Sequence, residues 1–509
     1  MSGPDAGAVT LGAPPVAPPP SDDGQREARL DGKLASGVAW YAVMRWAAQA
    51  GVWATTIVVA RQLSVADMGL AGIAALFVAF ATYITENGLA RVLVVQRIRD
   101  ERLVRQLHGA CLLAGVAGTV ALSAASPLIA RFYRDDRLVP LLLFLSLAFT
   151  ASGLNAVPTA RLQQRLAYKR LATNDLIKAL TQAATVLVLA LAGARYWAPA
   201  AGIVVASATS AVLSARLAWV RPARPRWQDL GAPVRFATHL IVGSLLWYGY
   251  SNADFAVVGR ALDVTALGLY QFAWNIAQLP GEKITNVLQA VAGPLFGSVG
   301  DDRAMLRRYL LVVTESLAFV VLPVLSGFSL VAHDAIPLIF GAKWAASVQP
   351  LQVLVLYALS QNLMVLLSLA LVAAGLARIA STTGIFFILV LPPSFYVAAR
   401  TGGITAVALV WVLFQPVMFG IPLWHARRAL SLRLREYVAT LAGPVVASAV
   451  MAGAVWGTGV AMDGAAPLPR LAVMIPIGVA TYALVVVAFF RTRIDALRDV
   501  WMTSRRASN

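Results

Sequence analysis

One cysteine, Cys111, stands among 509 residues, so no disulfide can close within the chain. Histidine is almost as scarce: His108, His239, His333 and His425 lie far apart, without the spacing of metal ligands. Charged residues make up only 13% of the sequence, too little polar surface for a soluble protein of this length. The chain also lacks a phosphate-binding glycine loop with its lysine, a Ser/His/Asp set, and a carboxylate pair in a polar segment. No connection between its hydrophobic runs is long enough to hold a catalytic domain. Those absences argue against an enzyme, a metal centre or a bound cofactor.

What the chain holds in abundance is apolar sequence. Hydrophobic residues make up 59% of it. They gather in runs of roughly twenty, the length that crosses a hydrocarbon core of ~30 Å. About fourteen runs are legible, at 36–60, 66–90, 107–130, 138–160, 172–193, 197–219, 235–259, 264–284, 309–331, 350–373, 379–398, 403–424, 437–460 and 471–490. The fold class expected is an all-α polytopic membrane protein.

Basic residues outnumber acidic ones, 42 to 24, and leave a net charge of +18. That invites a nucleic-acid partner, but the placement argues for topology instead. Alternate connections carry most of the charge, among them Arg91, Arg97, Arg99, Arg102 and Arg105 in one and Arg221, Arg224, Arg226 and Arg235 in another. The connections between them hold only Arg61, Arg131, Arg134, Arg137, Arg195, Arg260, Lys343, Arg400 and Arg470. Basic loops mark the cytoplasmic side of a membrane protein, so both termini are expected in the cytoplasm. Anionic lipid headgroups are natural neighbours of such loops, and nucleic acid is not expected. Residues 1–33, with Pro14, Pro15, Pro18, Pro19 and Pro20, lack the basic start and apolar core of a signal peptide. They are expected to form a disordered cytoplasmic tail, with a second tail at 491–509.

The chain repeats itself. The segment ARQLSVADMGLAGIA at 60–74 returns as GRALDVTALGLYQFA at 259–273, an offset of 259 − 60 = 199 positions. Arg61/Arg260, Leu63/Leu262, Val65/Val264, Gly69/Gly268, Leu70/Leu269 and Ala74/Ala273 are identical pairs. Each copy joins the first hydrophobic run of a half-chain to the second. Six runs fall in 34–220 and six in 221–424, with a Pro- and Arg-rich connector at 220–234 and two further runs in 425–490. An even number of crossings gives both halves one orientation. The expected plan is two pseudo-symmetric six-helix lobes plus two C-terminal helices, with lobes that rock about a central gap as in many transporters.

Charged side chains inside spans are costly in lipid and tend to face protein or a wet cavity. Here they are Arg45, Glu86, Asp175, Lys178, Asp254 and Glu315, with Glu282 at an edge. Asp175 and Lys178, three apart, could instead form a local ion pair. Asp254 could cap a helix or pair with Arg260. Arg45 lies deeper in its span and begins a short polar row with Gln49 and Thr56. On the eighth run Gln271, Asn275, Gln278 and Glu282 fall at i, i+4, i+7 and i+11, on one helical face. Such a row meets either a neighbouring helix, through amide hydrogen bonds, or the water of a cavity. The cavity reading is preferred, and Pro280–Gly281 is expected to break or hinge that helix. Trp40, Tyr133, Trp197, Trp227, Tyr270, Trp344 and Trp424 fall near span ends, where interfacial anchoring accounts for most such aromatics. None is assigned to a substrate.

The second repeat and the run before it read N-x-D-x-x-x-x-G-R-x-L-x-x-x-x-x-G-x-Y-x-x-A-x-x-x-x-x-x-P. The residues are Asn252, Asp254, Gly259, Arg260, Leu262, Gly268, Tyr270, Ala273 and Pro280. The first reads A-R-x-L-S-x-x-D-x-G, followed by E-N-G-L at 86–89. Together these resemble the polysaccharide-transporter (Wzx-type) flippases of bacteria, in the superfamily that also holds lipid II flippases and multidrug extruders. The resemblance covers roughly 34–424. It implies an inner-membrane protein that moves an undecaprenyl-diphosphate-linked oligosaccharide by alternating access around a cationic cavity. The glycan would feed exopolysaccharide, capsule or O-antigen synthesis, with a polymerase and glycosyltransferases as partners.

Under that resemblance Arg45 is the first candidate for the diphosphate and Lys178 the second, because guanidinium and ammonium groups hold phosphate oxygens. Gln49, Gln271, Asn275, Gln278 and Glu282 would line the cavity. Glu86, Asn252, Asp254 and Glu315 would gate it or couple it to a cation or proton. A lipid II flippase and a cation-coupled multidrug extruder are the alternatives within the superfamily. A membrane-embedded glycan polymerase is disfavoured because such enzymes usually carry a large periplasmic loop, and 332–349 is the longest outer loop here.

Overall fold

A computed structural model describes residues 55–376 and 378–490, and every regular element among them is a helix. Arg45, Gln49, both terminal tails and most of the first expected span lie outside the described residues, as does the side chain of Glu86.

Helix α1, described from Thr55 to Gln62, turns through 117° into the helix that follows. That helix, α2, spans Val65–Ile84. The corner is made by a reciprocal cap. The Ser64 hydroxyl donates to Asp67 Oδ2 at 2.7 Å, and the Asp67 N–H donates back to Ser64 Oγ at 3.1 Å. A π-helical turn at Thr85–Ala90 and a short α3 (Arg91–Val95) continue the chain. Then come α4 (Glu101–Tyr133), α5 (Leu138–Gln164), α6 (Tyr168–Leu191) and α7 (Trp197–Ala218).

Helix α5 packs against both α4 and α7, and α6 packs on α7. Small residues allow this: a Cβ on Gly153 would strike the Cys111 carbonyl of α4, so these two backbones touch. Buried Asn155 of α5 accepts from Ser214 of α7 at 2.7 Å.

The second group begins with α8 (Trp227–Ser251) and α9 (Ala253–Ala261), followed by α10 (Val264–Ser298) and α11 (Arg303–Phe340). A 3-10 turn at Ala342–Ser347 leads to α12 (Val348–Ala373), α13 (Arg378–Ala429), α14 (Leu434–Ala461) and α15 (Pro467–Phe489). Helix α12 packs between α10, α11 and α13, while α14 and α15 pack on α11. The two groups meet chiefly where α2 crosses α10 and where α8 lies along the π-helical turn.

Ten of the described helices are long and apolar enough to cross a membrane, eleven if the bent pair counts as one. This is a multi-pass membrane protein. Several expected boundaries move. The run 235–259 is two helices, interrupted at Asn252 (φ −127, ψ 10), whose side-chain amide donates to the Tyr248 carbonyl at 3.0 Å. The boundary between the runs 379–398 and 403–424 holds, because they fall on either side of a kink in α13 where helical geometry lapses at Gly402 and Gly403, the latter at φ 63. Pro280 and Gly281 do not break α10, which runs on to Ser298. Proline removes one backbone bond, and packing against neighbouring helices can absorb that loss.

The connector is shorter than expected, because α8 starts at Trp227, and it is fastened rather than loose. The Ala223 N–H donates to the Arg105 carbonyl at 2.9 Å, and a ring nitrogen of buried His108 bonds the Val220 carbonyl at 2.7 Å. Gln106 accepts from the Arg226 N–H at 3.1 Å and donates to Asp229 at 2.7 Å.

Three of the aromatics singled out above are buried among the helices. Trp344 and Tyr270 are both 0% exposed and Tyr133 is 8% exposed, whereas Trp227 is 76% exposed.

Candidate functional site

The two copies of the repeat meet each other. In the second copy Asp263 caps α10, accepting from the Ala266 N–H at 2.7 Å, at the position Ser64 holds in the first. Val65 and Val264 open α2 and α10. One turn later a Cβ on Gly69 would collide with the Val264 carbonyl oxygen, and a Cβ on Gly268 with the Val65 carbonyl oxygen. Each glycine admits the backbone of the other copy.

A clasp is built beside this crossing. Arg61 Nε and Nη2 donate to the Ile339 and Leu338 carbonyls at 2.8 and 2.7 Å, filling the open end of α11. Beyond that end, Lys343 Nζ donates to the Arg61 and Leu63 carbonyls at 2.8 and 2.6 Å, and Trp344 Nε1 to the Ala60 carbonyl at 3.0 Å. Two helix C-termini thus cap one another with cationic or indole donors, favourable against the negative end of each helix dipole. Arg260, the repeat partner of Arg61, reaches across as well, but lies over the Phe132 ring at 5.4 Å. In the nearby loop Arg137 donates to Asp135 at 2.9 and 2.6 Å, and holds that carboxyl below its ordinary range.

A cavity of about 300 Å³ lies among α8, α10, α12 and α13. Trp247, Tyr250, Trp274, Tyr357 and Trp411 supply aromatic walls, and Asn252, Gln278, Gln289, Gln361 and Asn362 supply amides. Among the described residues of the lining, Glu282 is the one carboxylate, and none is Lys, Arg or His. The rings of Trp274, Tyr357 and Trp411 pack together at centroid distances of 5.7, 5.5 and 5.0 Å. Asn362 accepts from Thr285 and donates to the Ala358 carbonyl, and its amide sits where a Cβ on Gly281 would be. Gly281 therefore admits the Asn362 amide against the α10 backbone. Gln361 Oε1 and both amide atoms of Gln415 are buried without a hydrogen-bond partner among the described residues. Gln415 is four residues from Trp411, on the same face of α13.

Behind the Trp411 wall sits Asp254, fully buried. Its Oδ2 accepts from Tyr270 Oη at 2.8 Å and from Trp411 Nε1 at 2.9 Å, and its Oδ1 from the Phe255 N–H at 2.9 Å. It does not pair with Arg260, and no cation touches it among the described residues.

The structure thus gathers part of the expected set. Asn252, Gln278 and Glu282 share the cavity, with Thr285 and Gln289 extending the row by two more turns. Gln271 is spent elsewhere, its amide lying against Gly72 of α2 where a Cβ would stand. Asn275 is exposed, Lys178 is half-buried on α6, and Glu315 is half-buried on α11, all three outside the cavity lining. Arg61, Lys343 and the five aromatics were not among the expected site residues. The repeat pointed to Arg61; nothing local in the sequence pointed to the rest.

A family profile described as "Polysaccharide biosynthesis protein" matches residues 58–349. The teichuronic acid biosynthesis protein TuaB of Bacillus subtilis (strain 168) is 27% identical over 430 residues, covering 82% of this chain and 88% of its own. The lipopolysaccharide biosynthesis protein WzxC of Escherichia coli (strain K12) is 24% identical over 365 residues, covering 70% and 73%. Among solved structures, the lipid II flippase MurJ in an inward closed conformation aligns with a TM-score of 0.75 at 14% identity, over 90% of this chain and 100% of that one. An inward-facing multidrug resistance MATE transporter of the MOP superfamily aligns with a TM-score of 0.59 at 14% identity, over 75% and 94%. At such identities these two likenesses establish the fold alone.

Proposed function

Because the chain belongs to the polysaccharide biosynthesis protein family, we propose that it is a flippase for lipid-linked oligosaccharides. Its substrate is an undecaprenyl-diphosphate-linked repeat unit, carried from the cytoplasmic to the periplasmic leaflet of the inner membrane. It is a transporter rather than an enzyme, working upstream of a polymerase and downstream of glycosyltransferases.

The observation that carries this reading is the cavity among α8, α10, α12 and α13. Aromatic faces backed by neutral amides, with one carboxylate and no cation among the described residues, suit sugar rings. Such rings present apolar C–H faces and hydroxyls at once. The unpartnered Gln361 oxygen in this lining leaves hydrogen-bonding capacity for a polar guest.

The mechanism proposed is alternating access. Fourteen crossings form two like-oriented lobes, 34–220 and 221–424, with 425–490 added and both termini cytoplasmic. The Arg61–Lys343–Trp344 clasp shuts one end, and its release lets α2 and α10 part at the glycine crossing. Arg45, with Lys178 second and Gln49 beside it, holds the diphosphate. Gln278 and Glu282 line the sugar path, and Gln271 and Asn275 follow the moving seam. Asp254, with Asn252, Glu86 and Glu315, gates the passage or couples it to a proton or cation.

Deletion of the gene tests the reading. Surface polymer should be lost while lipid-linked repeat units accumulate on the cytoplasmic leaflet. Accumulation on the periplasmic leaflet would point to polymerisation instead. Loss of peptidoglycan precursor export, or drug sensitivity with normal surface glycan, would favour the lipid II or multidrug alternatives.

A further inference from the structure

At the end of the helices opposite the clasp lies a second and larger cavity, of about 1300 Å³. It is framed by the loop between α3 and α4, the last turns of α5 and the first turns of α6. Four arginines line it, Arg97, Arg99, Arg161 and Arg165, against two carboxylates, Glu101 and Asp175, an excess of 4 − 2 = 2 positive charges. Arg161 is taken up by Glu101. The guanidinium groups of Arg97, Arg99 and Arg165 have no hydrogen-bond or ion-pair partner among the described residues.

The frame around them is fixed. Gln164 donates its amide to the Leu93 and Ile98 carbonyls, tying the α3–α4 loop to the end of α5. Arg97 and Leu166 both turn their loops through left-handed backbone, at φ 51 and φ 53. Val94, Ile98, Leu166 and Leu171 add apolar surface to the lining, beside the polar Thr159, Gln163 and Gln164.

We propose that this vestibule is a binding site for a phosphate group carried on an apolar anchor. Unpaired guanidinium groups sharing one cavity repel each other, and among the described residues Glu101 and Asp175 offset that charge only in part. An oxyanion offsets the rest, because each guanidinium can donate to two of its oxygens and keeps its charge at any accessible pH. The apolar part of the lining, Val94, Ile98, Leu166 and Leu171, receives the first groups of a hydrocarbon tail. Two sources present this chemistry at a basic membrane face: the diphosphate of a lipid-linked glycan and the headgroup of an anionic phospholipid. Only the first rests on the flippase reading. The site is separate from the amide-lined cavity, so a glycolipid would be held first here by its phosphates.

The test uses the full chain purified in a neutral detergent, with inorganic pyrophosphate as the probe and calorimetry as the readout. Saturable binding is expected, weakening about tenfold or more in the triple variant R97Q/R99Q/R165Q. These guanidinium groups make no hydrogen bond or ion pair among the described residues, and an unchanged melting temperature verifies that the variant is folded. R427Q/R435Q, which removes exposed charge elsewhere, should bind as the wild type does. Equal weakening in both variants, or no saturable binding in the wild type, overturns the proposal.

The source is then read in lipid nanodiscs. Loss of pyrophosphate binding in phosphatidylglycerol but not phosphatidylcholine assigns the site to a lipid headgroup. Binding that persists in both assigns it to the transported diphosphate. No transport is measured here, so failure of the site leaves the deletion phenotype to judge the flippase reading separately.

Discussion

Gly69 and Gly268, the same position in two copies of one repeat, lie against each other where α2 crosses α10. The Gly69 nitrogen is 3.1 Å from where a Cβ of Gly268 would stand. Replacing Gly268 with valine must push the two backbones apart. A cost of about 1–3 kcal/mol is expected from overpacking, read as a lower melting temperature in detergent. An unchanged melt would show that the helices do not meet there in solution.

The clasp should behave as a unit. Each charge-assisted bond from Arg61 or Lys343 to a helix-end carbonyl contributes about 1.5–3 kcal/mol at most. Leu63 is buried beneath them. A cysteine placed at Leu63, with Cys111 replaced by alanine, should react slowly with an impermeant maleimide. Arg61→Ala or Lys343→Ala should speed labelling several-fold. The double variant should add little beyond the stronger single, since either loss opens the same junction.

Asp254 distinguishes charge from shape. Asp254→Ala strands the buried Tyr270 hydroxyl and Trp411 indole N–H, each at a cost of about 1–3 kcal/mol. Lower yield and a lower melting temperature are expected. Asp254→Asn keeps the volume and the oxygen that Tyr270 and Trp411 share but turns its NH2 toward the Phe255 N–H, so a smaller loss of stability than in the alanine variant is expected. Loss of polymer export in that folded variant would support a gating or coupling role; normal export would remove it.

Within the amide-lined cavity, Trp274→Ala combined with Gln278→Ala removes one stacking surface and one hydrogen-bonding group from the lining. At about 1 kcal/mol each, export should fall about tenfold or more, with normal membrane levels confirmed by immunoblot. Wild-type export would place the glycan elsewhere.

The repeat was the most informative part of the sequence, because Gly69, Gly268, Arg61 and Arg260 do meet across the two groups of helices. The polar row on α10 was legible too, since helical spacing alone places Gln278 and Glu282 on one face. Its other walls were not. Trp247, Tyr357, Gln361 and Trp411 come from three other helices, and no local pattern tells a wall from a packing residue. Tyr270 and Trp344 misled for a related reason: closeness to a span end suggests the interface, yet inter-helix contacts bury both. Run lengths also misjudged α10 and α11. At 1.5 Å per residue, the 38 residues of α11 extend ~57 Å, well past a ~30 Å hydrocarbon core.

The stretch between α7 and α8 looks, from its prolines and arginines, like a slack strap that trypsin would sever first. Its bonds to Arg105, Gln106 and His108 instead rivet it to the start of α4. It travels with the first group of helices and contributes no swivel. Any rotation between the groups must then be taken up farther along, and the lapse in helical geometry at Asn252 is the nearest backbone joint left to bear it.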